Sequence, residues 1–97
     1  MEDISYEWNE EKRNGNLIKH GIDFRDVISV FSRPHLTFPS MRGDENRNVT
    51  LGVLGLGAPG SGVIAVVWTD RGGVRRIISA RRARRNERDI YHAGRSA

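Results

Sequence analysis

Val63-Ile64-Ala65-Val66-Val67-Trp68-Thr69-Asp70-Arg71-Gly72-Gly73-Val74-Arg75-Arg76-Ile77-Ile78-Ser79-Ala80 reads as two strands and the turn between them. Val63 to Thr69 and Val74 to Ala80 are rich in β-branched side chains, which pack well on a pleated surface. The glycines of Asp70-Arg71-Gly72-Gly73 accept the positive φ that a tight hairpin turn demands. Upstream, Asn48 to Gly55 is a third strand, joined to the hairpin by a flexible loop from Leu56 to Gly62. That loop lacks the Gly-Lys-Ser/Thr ending by which a phosphate-binding loop holds its ligand. Leu36-Thr37-Phe38 forms a brief strand closed by Pro39, and residues 40 to 47 read as a polar loop. Downstream, Arg82 to His92 turns helical, with Ala83, Glu87, Ile90 and Tyr91 interleaved with arginine and Gly94 as the stop.

The N-terminal third carries clear helix punctuation. Ile4 to Trp8 alternates and reads as a short strand. Asn9 caps a helix over residues 10 to 20, with Glu10 and Glu11 in the first turn, Lys19 and His20 in the last, and Gly21 beyond it. Asp23 caps a second helix in which Phe24, Val27, Ile28 and Phe31 form one apolar stripe, and Pro34 prevents its continuation. The resulting order, β-α-α-β-β-β-β-α, predicts an α+β fold with helices packed on an antiparallel sheet. At 97 residues the chain is expected to be one domain over residues 1–97, without repeat or linker.

There is no cysteine, so neither a disulfide framework nor a thiolate metal site is available. The first residues lack a basic region followed by an apolar stretch, and no run is long enough to span a bilayer; a cytoplasmic protein without membrane contact is expected. Charge is unevenly placed. Residues 1–70 hold seven Lys and Arg against ten Asp and Glu, whereas residues 71–97 hold nine arginines against Glu87 and Asp89. Guanidinium forks grip phosphate and stack on bases, so this end points to a polyanion, with an acidic protein partner as the alternative.

The chemistry open to such a chain is narrow. No acidic cluster is spaced for Mg²⁺, and His20, His35 and His92 are scattered, so no metal or other cofactor is expected. No cysteine or elbow serine offers a covalent nucleophile. RNA can supply its own nucleophile, the ribose 2′-OH, given a proton acceptor, cations around the crowded phosphate and a proton source for the 5′ oxygen. DNA would be inert by this route. A non-catalytic nucleic-acid-binding or regulatory module, or an interaction protein with a basic face, would share the same charge pattern.

Two separated motifs resemble the BrnT toxin family. Trp8, Lys12, Asn16 and Lys19-His20-Gly21-Ile22-Asp23-Phe24 are similar to its N-terminal signature. Thr69-Asp70-Arg71-Gly72-Gly73, Arg76-Ile77-Ile78-Ser79-Ala80-Arg81 and Glu87-Arg88 resemble its strand-turn-strand-helix ending. The resemblance implies a RelE-like fold, metal-independent endoribonuclease activity and a BrnA-like antitoxin that neutralises the toxin and carries the DNA-binding half of the pair, so that operator DNA is met only indirectly. The chain departs by having Asn9 where Asp is frequent and Trp68 where a histidine is common. If that histidine transfers protons, the role moves here to His20 or Lys19.

Arg71 at the turn and Arg81 at the strand end are expected to converge on one phosphate as active-site cations. Arg76, expected on one strand face with Ile78 and Ala80, is either a site residue or a half-buried structural cation. His20 is a proton-transfer group or a partner of the helix dipole, and Lys19 positions phosphate or moves a proton. Arg75, Arg82 and Arg85, with Arg84 and Arg88, are expected to contact the RNA backbone, and the last-helix arginines fit antitoxin contacts equally. Trp8 and Trp68 read as core before base-stacking platforms. Asn16 is a surface or buried hydrogen-bonding residue, functional only by the resemblance.

Overall fold

The computed structural model describes residues 4–42, 45–54 and 62–96. The elements are β1 (Ser5–Glu7), α1 (Glu10–His20), α2 (Phe24–Val27) running on into a 3₁₀ turn (Ile28–Ser32), β2 (Leu36–Arg42), β3 (Glu45–Val53), β4 (Val63–Arg71), β5 (Val74–Arg82) and α3 (Arg85–Ser96). Caps act where the sequence puts them. The Asn9 side chain accepts from the Lys12 amide, Gly21 ends α1 at φ 70°, and the Asp23 side chain accepts from the Arg25 amide. Gly72 and Gly73, at φ 60° and 87°, make the β4–β5 turn.

The strands form one sheet in the order β1-β5-β4-β3-β2. It is mixed where an antiparallel sheet was expected: β1 lies parallel to β5, because α1 and α2 carry the chain across the sheet before β2 begins at the far edge. Several boundaries also move. β2 runs through Pro39 to Arg42 and β3 begins at Glu45, so most of residues 40–47 is strand. Pro39 is tolerated because β2 is an edge, where a missing N–H can face outward. β5 continues to Arg82, so the last helix starts only at Arg85. Gly94 lies inside α3; a Cβ there would come 2.7 Å from Leu36 Cδ1, so this glycine lets the helix approach β2. The connection over residues 55–61, read as a flexible loop, lies outside the described residues.

One irregularity in β5 decides which side chains face which way. Val67 pairs with Ser79 but Trp68 pairs with Ile77, leaving Ile78 as a bulged residue. Ile77 and Ala80, three positions apart, therefore lie on one face, at 1% and 0% exposure. Arg76 falls on the opposite face from Ala80, not beside it as strict alternation implies.

The first face of the sheet, under α1 and α2, holds a core of Ile22, Phe24, Val27, Val30, Leu54, Ile64, Val66, Trp68, Ile77 and Ala80, edged by Tyr6, Trp8 and Phe31. Full burial of each large apolar side chain contributes about 1.5–3 kcal/mol. Asn16 secures α1 here. Its buried amide donates to Ala80 O (2.9 Å) and Ile22 O (3.0 Å) and accepts from Ala80 N (3.1 Å), serving an edge of β5 beyond Arg76, where its pairing with β1 ends. On the second face α3 covers a smaller cluster, Val49, Leu51, Ala65, Ala83 and Tyr91, with Leu36, Phe38, Val53, Val63 and Val67 around it.

Candidate functional site

Because α3 covers only one end of the second face, a cavity of about 380 Å³ remains beside it, lined by Phe38, Pro39, Ser40, Arg47, Val49, Val67, Ser79, Arg81, Arg84 and Glu87. Its floor is a row of register partners across four strands: Phe38, Val49, Val67 and Ser79. Arg81 stands at the end of the adjacent row, Leu36-Leu51-Ala65-Arg81, and Arg47 pairs with Ser40 in the row on the other side. Strand spacing and rise put the Arg47 and Arg81 backbones about 16 Å apart diagonally, with the floor between them. Both side chains line the same hollow.

The Arg81 guanidinium is fixed by Glu87. Nη1 donates to Oε1 at 2.7 Å and Nη2 to Oε2 at 3.0 Å, a bidentate pair. Glu87 Oε1 also accepts from the Arg84 backbone N–H at 2.7 Å, tying the start of α3 to the end of β5. Only 9% exposed, Glu87 is held below the ordinary carboxylate range, chiefly by the Arg81 hydrogen bonds, which outweigh the opposing effect of burial. It is ionised at neutral pH. The end fork of Arg81 is thus taken, while its Nε–H edge carries no hydrogen bond to a described residue. Three guanidiniums and one carboxylate give the cavity a net positive lining, and Phe38, Pro39, Val49 and Val67 give it an apolar one. Such a hollow accepts a group with an anionic end and a flat apolar end.

The other expected site residues lie elsewhere. Arg71 sits at the turn end of the hairpin, six register pairs from Arg81; at strand rise this is about 20 Å. It does not line the cavity, so the expected convergence of Arg71 and Arg81 is not what the hairpin provides. Arg76 shares the second face but forms an ion pair with Glu7 at the β1 edge. Arg75 is on the first face, stacked against Phe31 and Trp68. Arg82 and Arg85 are exposed and neither lines the cavity; Arg82, the register partner of Ile64, lies on the first face, and Arg88 donates to Ala83 O at 2.8 Å. Lys19 is exposed and His20 half-buried, neither lining the cavity. Burial first, then the charges of Lys19 and Arg81, pushes His20 below its ordinary value, so it is neutral at pH 7.

Trp68 is core, 9% exposed, with its indole N–H on Thr50 Oγ1 at 2.8 Å; Trp8 packs against Phe24. Arg47, Ser40, Ser79 and the carboxylate of Glu87 went unnoticed as site residues in the sequence. Glu87 had a signal, its three-residue spacing from the Arg84 that precedes the helix. Arg47 and Ser40 had none, since their segment read as loop. Among the described residues no three His, Asp or Glu gather as metal ligands, and no helix is long and apolar enough to cross a membrane.

Comparison with known proteins adds a consistent result. The family model described as the ribonuclease toxin BrnT of a type II toxin–antitoxin system matches residues 8–87. The crystal structure of the Brucella abortus ribonuclease toxin BrnT is similar at 30% identity and a TM-score of 0.67, covering 86% of this chain and 100% of that one. No protein of curated function matches.

Proposed function

The chain belongs to the BrnT family, ribonuclease toxins of type II toxin–antitoxin systems, and from that premise we propose that it cleaves RNA in the cavity beside α3, without a metal. The observation that carries this reading is the Arg81–Glu87 pair: a guanidinium held rigidly at the edge of a cationic hollow, its Nε–H edge bonded to none of the described residues. The unpaired base lies on Phe38 and Pro39, and the phosphate lies between Arg81 and Arg84, with Arg47 across the floor. The 2′-oxygen attacks phosphorus, its proton passing to water. The P–O5′ bond breaks, and the 5′ oxygen takes a proton from water. The products are a 2′,3′-cyclic phosphate and a 5′-hydroxyl. Arginine charge stabilises the pentavalent phosphorane, a contribution of about 10²–10³ in rate per well-placed donor.

A type II toxin has an antitoxin partner, here of the BrnA kind, which blocks the cavity and carries the operator-DNA contacts; toxin and target meet in the cytoplasm. Among the described residues the lining holds no histidine, lysine or tyrosine, and this favours one second reading, a module that binds RNA and leaves it whole. Incubation of the purified chain with single-stranded RNA in EDTA separates the two. Cleavage with cyclic-phosphate ends, lost on 2′-deoxy substitution, is expected; intact RNA bound in a salt-dependent way supports the second reading.

A further inference from the structure

Arg75 is anchored in a different manner from the arginines around it. Arg13, Arg76 and Arg81 each form an ion pair with a carboxylate. The Arg75 guanidinium instead lies over two rings, its carbon 4.6 Å from the centroid of Phe31 and 4.8 Å from that of Trp68. It has no hydrogen bond or ion pair with any described residue. Asp70, its register partner on β4, uses Oδ1 to accept the Gly73 N–H at 2.9 Å and is not ion-paired with it.

The platform beneath is itself fixed. Phe31 touches Tyr6 (5.5 Å between centroids), Trp68 (5.7 Å) and His35 (5.8 Å), and Trp68 is pinned through Thr50. Arg75 is half-buried, yet among the described residues no sealed side-chain nitrogen lacks a partner, so its N–H edges reach solvent. The ring faces therefore hold the cation while its donor edge stays open. Cation–π contact makes the guanidinium pre-organised, and an anion binding there orders little that is not already ordered.

His35 stands on another side of the same Phe31 ring. Its Nδ1 is 2.6 Å from the Arg33 carbonyl oxygen; a carbonyl only accepts, so Nδ1 carries the hydrogen, Nε2 of the neutral ring is an acceptor, and the donor edge offered to an anion here is that of Arg75.

We propose that Arg75 on its Phe31–Trp68 platform is a second phosphate-binding site for an RNA strand, on the face of the sheet opposite the cleavage cavity. The inference rests on the reading that this chain acts on RNA. It assigns the first face to holding a part of the strand that is not being cut.

The test is a salt titration of binding to an uncleavable 2′-O-methyl single-stranded oligonucleotide, read by anisotropy, for the unaltered chain, Arg75→Ala, Arg75→Lys, Arg81→Ala and the double variant Arg75→Ala/Arg81→Ala. Every single-strand phosphate that the protein no longer neutralises lowers the slope of log K against log salt by about 0.7. Arg75→Ala is expected to lower it by that amount, both alone and on top of Arg81→Ala. Arg75→Lys is expected to retain the slope with weaker binding, which keeps the test open should the alanine variant fold poorly. An unchanged slope in Arg75→Ala, with the Arg81→Ala effect intact, overturns this site and leaves the cavity standing. Unchanged RNA binding with loss of antitoxin binding overturns it in favour of an acidic protein segment. No binding by the unaltered chain overturns the RNA reading and this inference together.

Discussion

The two faces of the sheet share strands β4 and β5 but are finished differently. On the first face α1 and α2 close over Trp68, Ile77 and Ala80 and seal a continuous core. On the second, α3 closes over one end and leaves Val67, Ser79 and Arg81 beside an open hollow. The device that allows both is the bulge at Ile78. Strict alternation would carry the face of Ile77 on to Ser79 and Arg81, driving a guanidinium into the core and Ala80 out of it. One extra residue re-aims the end of β5, so Arg81 reaches Glu87 and the cavity while Ala80 stays buried.

This contrast can be broken by mutation. Phe24→Ala, on the sealed face, is expected to cost about 3–5 kcal/mol, the range for a large aromatic removed from a core. Phe38→Ala, on the half-buried floor of the open face, is expected to cost less than half of that and to weaken RNA binding instead. Urea unfolding of both variants, followed by RNA titration, makes the comparison, and equal destabilisation would erase the distinction between the faces.

A smaller effect sharpens the role of Glu87. Its carboxyl is depressed in the folded chain, so the stability it contributes is fully present above the unfolded value, near 4.5, and is lost as pH falls through the lower folded value. Melting temperatures of the unaltered chain and Glu87→Gln should differ most above pH 5 and draw together towards pH 3. A gap constant across that range would mean that Glu87 ionisation does not hold Arg81.

The hairpin of residues 63–80 and the helix of residues 10–20 were legible because their signals are local: β-branched runs around two glycines, and an Asn9 cap paired with a Gly21 stop. The parallel seat of β1, the passage of β2 through Pro39 and the bulge at Ile78 depend on which strand lies alongside, and no window of sequence contains that partner. The same divide runs through the site. Arg81 was visible as a strand-end arginine, and its pairing with Arg71 was assumed because both flank one hairpin; the six register pairs between them emerge only once the strands are aligned. Arg47 and Ser40 were hidden in a polar stretch that becomes strand only against its neighbours.

Cleavage rates of Arg81→Ala and Arg71→Ala, measured side by side on one single-stranded RNA with folding checked by circular dichroism, test the central claim most directly. The cavity beside α3 predicts a loss of about 10²–10³ in rate for Arg81→Ala and at most a few-fold loss for Arg71→Ala. Equal losses, or a folded Arg81→Ala that cuts at the normal rate, would contradict it.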